Sequence, residues 1–372
     1  MIIGILKEQA HRRLVTLTPV GVKRLGDQAR VVVQRGAGTL AGFPDESYRA
    51  AGARVLNGRD AILEEADIIL SHDSLYEGGV LPGHRTFVGF HDVLGQPAVV
   101  STYERAGIDL FSLSLMPRTT LAQSMDVQSS VASIGGYQAV LLAAERSLAT
   151  VPMISGAGGT LRPARFLVMG AGVGGLQAIA TARRLGAQVK AYDVRSAAKE
   201  EVESLGAEFI QVDGAIEDRK AGGYAVEQSA EHLDRLREAI QQEAAQADVI
   251  ITTARVPGRR APILITRAMV EAMKPGAVIV DMAAGSGGNC ELTDPDHTVM
   301  AGEVTILGPR SIECGCAHST SILISNNYTA FLLHLLAEQC DRNDDSILKA
   351  THVVANGKVV NERFLTLASA AF

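Results

Sequence analysis

The feature that most constrains this chain is a run of glycines that joins a predicted strand to a predicted helix. Gly170-Ala-Gly172-Val-Gly-Gly175 directly follows the apolar stretch 165–169. In such a turn, the first glycine permits the tight bend and the second lets the backbone approach a pyrophosphate. The third lets the helix pack closely on the strand. The helix N-terminus then offers free N–H groups and partial positive charge to phosphates. The pattern predicts a Rossmann-type βα unit that binds a dinucleotide.

An acidic residue ends the next predicted strand, 188–192. Asp193 stands where a carboxylate accepts hydrogen bonds from the adenosine ribose and repels a 2′-phosphate, which favours NAD(H) over NADP(H). Arg195 lies close behind it, and its positive charge weakens that preference. The predicted NAD(H) site consists of Gly170, Gly172, Val173, Gly174, Gly175, Asp193, Val194 and Arg195.

Short apolar strands alternate with more polar helical stretches along the chain, and this alternation indicates parallel sheets. At 372 residues the chain is long enough for two domains. We therefore predict an α/β fold with two Rossmann-like βα domains. The predicted strands are 2–6, 30–34, 67–71, 85–90 and 108–112 in a first series, and 165–169, 188–192, 208–211, 249–253, 277–281 and 304–307 in a second.

A stretch rich in alanine and leucine, 127–148, joins the two series and is predicted to be one long helix. The glycine-rich stretch 155–160 is predicted to be a loop. An apolar helix at 326–336 and a weak strand at 358–360 close the chain, and we expect them to pack on the first domain. The predicted domains are 1–126 completed by 327–372, and a nucleotide-binding domain at 127–326.

The composition excludes several kinds of partner. The net charge is −6 and the sequence has no basic block, which argues against nucleic acid or an anionic membrane surface. The N-terminal apolar run is too short for a signal peptide, and no apolar run approaches the length of a membrane span. Four cysteines in a chain this long do not indicate a disulfide framework. We therefore expect a cytoplasmic protein.

Polar residues that could do chemistry lie in and after the first series. Arg118, Gln123 and Asp126 share one segment just before the long helix. The arginine and the aspartate could form an ion pair that fixes the loop, leaving Gln123 to offer its amide to a carboxamide; the alternative is an ordinary capped loop. His91 follows a predicted strand end, where α/β sites gather. It is either an acid–base group or a hydrogen-bonded loop histidine.

A group of cysteines and a histidine follows the second series. Cys314, Cys316 and His318 form a Cys-x-Cys with one histidine and no second pair. Such a set is a poor zinc site, so we predict no metal. Tyr224, in Ala221-Gly-Gly-Tyr224, is interpreted as the tip of a flexible loop.

Longer segments of the chain resemble the alanine dehydrogenase/nicotinamide nucleotide transhydrogenase family. The strongest likeness is to the NAD(H)-binding domain of its transhydrogenase members. The likeness runs from Lys7-Glu8 to about the end of the chain and is far more specific than the glycine motif. Matching segments include Arg162-Pro-Ala-Arg165, Asp193-Val-Arg195, Met273-Lys-Pro-Gly276 and Gly287-Gly-Asn-Cys290.

The resemblance implies a fold, an assembly and further site residues. It implies two βα domains separated by a cleft, usually in a homodimer or a larger homo-oligomer. In the transhydrogenase members, a loop of arginine, glutamine and aspartate holds the nicotinamide end of NADH, and Arg118, Gln123 and Asp126 match that loop. Tyr224 matches the tyrosine of the family's mobile loop and would add to the NAD(H) site.

Several family residues are changed in this chain. The arginine of an Arg-Val-Ala-Ile-Thr-Pro segment falls on Leu14, with Arg13 adjacent. The lysine of alanine dehydrogenases is missing from Ser71-His72-Asp73, and their catalytic aspartate falls on Gly285. Only their histidine survives, as His91. The part of the site that faces the nicotinamide has therefore been rebuilt.

Three functions remain open on this basis. The first is a transhydrogenase component that binds NADH and passes hydride to NADP⁺ on an NADP(H)-binding subunit, alongside a membrane subunit. The second is a free-standing NAD-dependent dehydrogenase for a small amino or keto acid, in which Arg13 holds a carboxylate and His91 relays the proton. The rebuilt segment 309–318 supports this second function. The third is an NAD(H)-binding protein without turnover.

Overall fold

The computed structural model describes residues 1–73, 85–212, 230–337 and 345–369. The chain forms two compact units. Unit 1 consists of Met1–Val131 with Glu313–Phe372, and unit 2 is Ala132–Ile312.

The strands in the described ranges are numbered in chain order. They are β1 Ile2–Ile5, β2 Arg30–Gln34, β3 Arg54–Leu56, β4 Ile68–Ser71, β5 Thr86–Gly89, β6 Asp109–Ser112, β7 Ile154–Gly156, β8 Gly159–Leu161, β9 Arg165–Met169, β10 Gln188–Tyr192, β11 Glu208–Phe209, β12 Val249–Thr252, β13 Val278–Asp281, β14 Thr298–Ala301, β15 Val304–Leu307, β16 His352–Ala355 and β17 Lys358–Val359.

The α-helices are numbered in the same way. They are α1 Pro19–Leu25, α2 Asp45–Ala50, α3 Arg59–Glu65, α4 Ala98–Ala106, α5 Val127–Arg146, α6 Val173–Arg184, α7 Ala198–Ser204, α8 Ala230–Gln246, α9 Arg267–Glu271, α10 Ala317–Leu335, α11 Ser346–Thr351 and α12 Glu362–Ser369. Short 3₁₀ turns include Leu121–Met125 and Ile312–Cys316.

The sheet of unit 1 has eight strands in the order β17-β16-β6-β5-β4-β1-β2-β3. Strands β1 to β6 run parallel, whereas β16 is antiparallel to both β6 and β17. Strand β1 has β2 on one side and β4 on the other, with Ile3 opposite both Val31 and Ile68. The strand order therefore reverses between β1 and β4. Ligands of open α/β sheets bind beyond the carboxyl ends of the strands at such a switch point.

The sheet of unit 2 has seven strands in the order β11-β10-β9-β12-β13-β15-β14. All neighbours are parallel except β14, which runs antiparallel to β15. The switch point lies between β9 and β12, where Leu167 is opposite Ile250. The glycine motif begins directly after β9, so it lies at this switch point.

Both sheets are covered on both faces, which explains why their central strands are almost continuously apolar. In β2, Val31 and Val33 belong to one buried cluster and Val32 to the cluster on the opposite face. In β9, Phe166 and Leu167 divide in the same way. Because side chains alternate between the two faces of a strand, each sheet packs against one hydrophobic layer on either face.

The prediction of an α/β fold with two Rossmann-like units is confirmed, but the sheets are mixed rather than wholly parallel. The antiparallel strands β14, β16 and β17 lie at sheet edges. The predicted loop 155–160 was wrong: it forms the hairpin β7–β8, in which Ile154 pairs with Leu161. Gly159 has a φ of 112°, a conformation that glycine adopts without strain, and it closes the turn.

The C-terminal helix was also predicted too short. Helix α10 begins at Ala317 rather than at 326. Its first half is rich in hydroxyl residues, which suggest a loop, but these hydroxyls have partners. Ser321 Oγ accepts from Val15 N at 3.1 Å and Ser325 Oγ accepts from Thr18 N at 2.9 Å. The whole helix consequently packs in unit 1, which resumes at Glu313 where the sequence suggested 327.

Candidate functional site

The glycine turn after β9 is shaped by close packing inside unit 2. Gly170 has a φ of 103°, and a Cβ on it would lie 2.5 Å from Thr253 Oγ1. A Cβ on Gly175 would lie 1.8 Å from Gly170 O. The chain's own atoms therefore require glycine at both positions, and α6 starts in contact with the end of β9.

Gly172 differs from those two glycines. It is the N-cap of α6 with a φ of −74°, which any residue can adopt, and no side chain caps the helix there. A Cβ on Gly172 would meet no atom within 4 Å. Val173 beside it is 47% exposed. Since nothing in the described chain fills this space, the uncapped N–H groups of α6 are open to a phosphate, and the residues present fit a dinucleotide.

Asp193 and Arg195 form a compact pair beside the glycine turn. The Asp193 carboxylate accepts from Ala171 N at 2.7 Å and from Arg195 N and Nε, both at 2.9 Å. Arg195 Nη2 also donates to Ala171 O at 3.3 Å. Val194 between them is 58% exposed. The fold thus brings the predicted glycines, Asp193, Val194 and Arg195 together at the carboxyl ends of β9 and β10.

A buried acid at the end of β13 organises the loops next to this turn, and sequence reasoning missed it. The side chain of Asp281 is fully buried. Its carboxylate accepts hydrogen bonds at 2.7–3.0 Å from Thr252 Oγ1, Ala283 N, Asn289 N, Cys290 N and Thr293 Oγ1. The available signal was the one used for Asp193, an acid that ends a buried strand.

Asn289 extends this network to the segment after β12. Its Nδ2 donates to Ala254 O at 2.9 Å and to Pro262 O at 2.7 Å, and its Oδ1 accepts from Ala254 N at 3.0 Å. Thr253 Oγ1 in turn donates to Gly170 O at 3.1 Å. The loops after β12 and β13 are therefore tied to each other and to the glycine turn.

The loop that carries Arg118, Gln123 and Asp126 lies in unit 1. Arg118 and Gln123 are exposed, whereas Asp126 is half-buried. Among the described residues Arg118 and Asp126 form no ion pair; instead, the Asp126 carboxylate accepts from Ser129 N at 3.0 Å and Ser129 Oγ at 2.6 Å. Asn327 Nδ2 donates to Ser124 O at 2.9 Å. The loop is thus fixed by a helix cap and by α10, so of the two alternatives left open by the sequence the structure has the capped loop and not the internal ion pair.

His91 follows β5 and is enclosed. It is 2% exposed, and neither ring nitrogen has a hydrogen-bond partner among the described residues. Its carbonyl accepts from Ser112 Oγ at 2.7 Å and Ser114 Oγ at 2.6 Å. Burial lowers the pKa of His91 to about 4, so the ring is neutral at pH 7. A neutral buried imidazole is able to accept a proton only if a donor reaches it.

A cluster of charged residues occupies the switch point of unit 1. This switch-point cluster consists of Glu8, Arg12, His72, Asp73 and Glu313. Glu8 Oε1 accepts from His72 N, and Arg12 pairs with Asp73 and, at 2.9 Å, with Glu313 Oε1. The cluster joins the loops after β1 and β4 to the start of the C-terminal return.

Burial dominates the titration of this cluster. It raises the pKa of Glu8 to about 8, against the lowering effect of the His72 N–H, and lowers the pKa of His72 to about 4. Within the part of the chain that the structure describes, His72 Nδ1 and Ser71 Oγ have no hydrogen-bond partner. At pH 7 the switch point therefore holds a largely protonated Glu8 beside a neutral imidazole. Sequence reasoning selected Arg13, which is exposed, but it is Arg12 that joins the two carboxylates.

Of the remaining candidates, Cys314 lies beside the switch-point cluster, next to Glu313 and in contact with Arg12. Burial raises the pKa of the Cys314 thiol to about 11, and His318 stacks on Phe43 with its Nδ1 2.9 Å from Ala41 O. A Cβ on Gly285 would meet Arg310 Cγ at 3.8 Å, an ordinary contact. Tyr224 lies outside the described residues.

The fold and the glycine site define a dinucleotide-binding α/β protein. Two family models match almost all of the chain: Alanine dehydrogenase/PNT, N-terminal domain, over residues 4–135, and Alanine dehydrogenase/PNT, C-terminal domain, over 139–362. The chain therefore belongs to the alanine dehydrogenase/pyridine nucleotide transhydrogenase family, as its resemblance predicted.

Individual relatives agree with this assignment. The chain is 38% identical to an NAD(P) transhydrogenase alpha-subunit polypeptide of Rhodospirillum rubrum, over 93% of this chain and 94% of that protein. It is 28% identical to alanine dehydrogenase of Mycolicibacterium smegmatis, over 79% of this chain and 76% of that protein. The solved transhydrogenase from Sinorhizobium meliloti is 40% identical, with a TM-score of 0.88 and coverage of 97% and 100%.

The predicted class, an oxidoreductase with NAD(H) as its cofactor, is confirmed at the level of the family. An L-alanine dehydrogenase structure at 22% identity, with a TM-score of 0.83 over all of both chains, has the same fold. Within the described residues, no helix combines the length and the apolar character needed to cross a membrane.

Proposed function

We propose that this chain is the NADH-binding component of a transhydrogenase, which passes hydride to NADP⁺ held by another polypeptide. The observation that carries the proposal is the contrast within unit 1. Arg118 and Gln123 are exposed on an anchored loop, whereas His91, the one acid–base residue shared with alanine dehydrogenases, is enclosed. The side chains of Arg118 and Gln123 are therefore accessible to a nicotinamide, whereas the His91 imidazole is buried. The relatives named transhydrogenase support the same function.

The chain's residues would hold the two ends of the cofactor. The α6 N-terminus and Gly172 would receive the pyrophosphate, and Asp193 the adenosine ribose. Arg118, Gln123 and Asp126 would hold the nicotinamide end, and Tyr224, which matches a tyrosine of the family, would add to the NAD(H) site. NADH supplies the hydride and NADP⁺ accepts it, so no protein nucleophile is needed and the residues act by positioning.

The proposal includes partners and a location. An NADP(H)-binding subunit must supply the acceptor, and a membrane subunit would hold the assembly at the cytoplasmic face. The enzyme would therefore work in the cytoplasm, at the membrane surface, through its partners.

We extend the proposal to a homodimer. All residues of the hairpin β7–β8 are exposed, including Ile154 at 47% and Leu161 at 55%, and the neighbouring Met153 is 63% exposed. A contiguous exposed apolar surface of this kind favours association. Ile154→Glu with Leu161→Glu should shift the sedimentation of the purified chain from dimer to monomer. Leu365→Glu, at an exposed position in α12, should leave the sedimentation that of a dimer. If the hairpin variant also sediments as a dimer, the hairpin is not the dimer interface.

A second candidate is the free-standing dehydrogenase. The switch-point cluster and its neighbour His91 favour it. Ser71 Oγ, His72 Nδ1 and both His91 nitrogens are buried and have no partner in the described ranges, at the edge where α/β sheets bind ligands. In that enzyme, Arg13 would hold the acid and His91 would relay the proton. Against it, Arg12 is already neutralised by Asp73 and Glu313.

A two-arm absorbance assay separates the candidates. One arm contains the chain, NADH and small keto acids with ammonia; the other contains NADH, a transhydrogenase NADP(H)-binding subunit and an NADP⁺ analogue. We expect turnover only with the subunit, and Arg118→Ala should reduce it about tenfold or more because a positioned donor is lost. Arg30→Ala, an exposed arginine at the start of β2, should have no effect. Turnover with a keto acid alone would establish the dehydrogenase, and NADH binding without turnover in either arm would leave a non-enzymatic NAD(H)-binding protein.

A further inference from the structure

The loop after β12 concentrates positive charge. The stretch 249–270 contains four arginines and no aspartate or glutamate, in a chain whose net charge is −6. Three of the arginines, Arg255, Arg259 and Arg260, lie in residues 254–263, which we call the arginine loop, and all three are exposed. Among the described residues, none of these three side chains forms an ion pair or a hydrogen bond within the chain. Their charges are therefore available to a group outside the chain.

The arginine that follows β15 differs from these three. Arg310 N donates to Asp296 Oδ1 at 2.9 Å, and Arg310 Nε lies 3.6 Å from Asp296 Oδ2. The two side chains are 59% and 53% exposed, so this pair forms without being buried. An exposed arginine at this edge of unit 2 is thus neutralised by a neighbouring acid, and none of the described acids does the same for the arginine loop.

The arginine loop is held in place at its base. Asn289 Nδ2 donates to the carbonyls of Ala254 and Pro262, which lie at or near the two ends of the loop. Ala261 N donates to Ser286 O at 2.8 Å. The backbone of the loop is therefore anchored at both ends to the segment that follows β13.

The tip of the arginine loop is a tight turn. Arg259 N donates to Val256 O at 3.1 Å, and Gly258 has a φ of 71°. Pro257 precedes this glycine, and a proline followed by a glycine of positive φ is the pattern of a type II turn. Because the anchored base and the tight turn fix the backbone before any partner arrives, little conformational entropy is lost on binding.

Exposed apolar residues lie within the same loop. Val256 is 41% exposed and Ile263 is 44% exposed. Arginine is enriched at protein interfaces, where a few apolar contacts are surrounded by polar groups. A fixed loop that carries both is typical of a surface that binds another protein. An acidic partner is repelled by a chain of net charge −6 except at such a positive surface, so the arginine loop also fixes the partner's orientation.

We propose that the arginine loop is the docking surface for an acidic face of the NADP(H)-binding subunit. This inference rests on the proposed function, which supplies the partner. Carboxylates of that face pair with Arg255 and Arg259, while Val256 and Ile263 pack against the apolar atoms beside them. The loop follows β12, which borders the switch point of unit 2. A subunit that docks here therefore lies next to the NADH site.

Biolayer interferometry with a purified transhydrogenase NADP(H)-binding subunit tests this docking surface. Arg255→Gln with Arg259→Gln removes two charges that make no ion pair or hydrogen bond in the described chain, so the fold should be unchanged. Arg260 is left in place, because a Cβ on Gly287 would lie 2.7 Å from its Cγ and the arginine stem is therefore part of the packing. At low salt the variant should bind the subunit about tenfold more weakly, mainly through slower association. Arg255→Glu with Arg259→Glu should weaken binding about a hundredfold, because acids then face acids.

Arg30→Gln with Arg184→Gln is the matched control. Both arginines are exposed, and the net charge changes by the same amount. Arg30 begins β2 and Arg184 ends α6, so both lie away from the carboxyl ends of the strands. This variant should bind the subunit as wild type does. If it weakens binding as much as Arg255→Gln with Arg259→Gln, only net charge matters and the docking surface is wrong.

Salt separates the two kinds of contact in the docking surface. Raising the salt from about 0.05 to 0.5 M should remove most of the difference between wild type and Arg255→Gln with Arg259→Gln, since that difference is electrostatic. Val256→Ser removes an apolar contact instead, and it should speed dissociation about threefold at both salt concentrations. A loop variant whose defect is the same at both salt concentrations would contradict the pairing of these arginines with carboxylates.

The affinity for NADH distinguishes a protein partner from a nucleotide. Fluorescence titration should give the same NADH affinity for wild type and for Arg255→Gln with Arg259→Gln. If the variant binds NADH about tenfold more weakly, the arginines hold the nucleotide and the proposal is overturned. A wild-type chain that does not bind the subunit at low salt would overturn it as well.

The failure of this inference is distinguishable from that of the proposed function. If the subunit binds through the arginine loop but no hydride reaches the NADP⁺ analogue, the transhydrogenase assignment fails and the docking surface stands. If hydride transfer occurs and the KM for the subunit is the same in wild type and in Arg255→Gln with Arg259→Gln, the docking surface fails and the assignment stands.

Discussion

Helices α1 and α6 each follow the first strand of their sheet, but their N-termini are built in opposite ways. Thr18 caps α1, and its hydroxyl accepts from Gly21 N at 3.5 Å. A Cβ on Gly21 would meet Ser325 Oγ of α10 at 2.6 Å, so that end of the helix is covered. Helix α6 has no side-chain cap, and the space beside Gly172 is empty of protein atoms among the described residues. One helix end is closed by the protein, and the other is left for a ligand.

The switch points of the two sheets also differ in the chemical groups that they present. In unit 2 the buried acid, Asp281, accepts hydrogen bonds from five donors. The uncapped N–H groups at the N-terminus of α6 indicate an anion site there. In unit 1 the buried acid, Glu8, is held protonated near neutral pH, and nearby imidazole nitrogens have no partner among the residues that the structure describes. The same strand order thus supports a backbone site in one unit and a titratable side-chain cluster in the other. Topology fixes where a site lies, and the loops decide its chemistry.

The largest effect should come from Gly175→Ala. The added Cβ would lie 1.8 Å from Gly170 O, an atom of the backbone that cannot move without displacing β9 or α6. We expect a loss of about 3 kcal/mol or more of unfolding free energy, the upper range for overpacking, together with loss of NADH binding. Urea unfolding followed by circular dichroism measures it. A variant as stable as wild type would show that the closed packing of strand and helix is not essential.

Asp281→Asn should come next. The substitution keeps the shape but places an amide NH₂ among groups that all donate, so at least one buried hydrogen bond is lost. We expect a loss of about 2–4 kcal/mol, because a buried charged acceptor is removed from its donors. Asp234→Asn, at an exposed position in α8, is the matched control and should change stability by less than about 0.5 kcal/mol. Equal effects of the two substitutions would contradict the organising role of Asp281.

Gly172→Ala should separate binding from folding. The backbone at this position needs no glycine, and the added methyl meets no protein atom, so the melting temperature should stay within about 2 °C of wild type. The methyl would instead stand where a pyrophosphate approaches, and we expect NADH to bind about tenfold more weakly, by fluorescence titration. An unchanged NADH affinity would show that the pyrophosphate does not bind at the N-terminus of α6.

The sequence could predict unit 2 well because its site is encoded locally. Gly175 is required by its contact with Gly170 O within the turn, Gly170 has a positive φ in the turn, and Asp193 follows the adjacent strand, so spacing alone located all three. The network around Asp281 was missed because its donors come from loops that meet only in three dimensions, such as Asn289 and Ala254. Unit 1 was harder for the same reason. Choosing between Arg12 and Arg13 depends on which side chain turns toward Asp73 and Glu313, and two adjacent arginines in a sequence do not reveal this.

The remaining expected effect concerns Glu8 and is a dependence of folding stability on pH. The pKa of Glu8 is about 8 in the folded chain against 4.5 for an unperturbed glutamate, so the folded state binds more protons between these values. Stability contributed by protonated Glu8 is therefore complete below about pH 4.5 and is lost as the pH rises to 8. The buried histidines act in the opposite direction: with pKa values of about 4, they destabilise the chain as the pH falls below 6.5.

Measuring above pH 6.5 isolates Glu8 from these histidines. From pH 6.5 to 8 the wild-type chain should lose about 2 kcal/mol of unfolding free energy, at about 1.4 kcal/mol per pH unit. Glu8→Gln mimics the protonated acid and should show an almost flat profile that lies above wild type by about 2–3 kcal/mol at pH 6.5 and by more at pH 8, because the glutamate of the unfolded wild-type chain is already ionised at pH 6.5. Urea unfolding at four pH values in this window would measure both curves. If the curves run parallel, Glu8 is ionised in the folded chain, and the contrast between a titratable switch point in unit 1 and a backbone site in unit 2 would disappear.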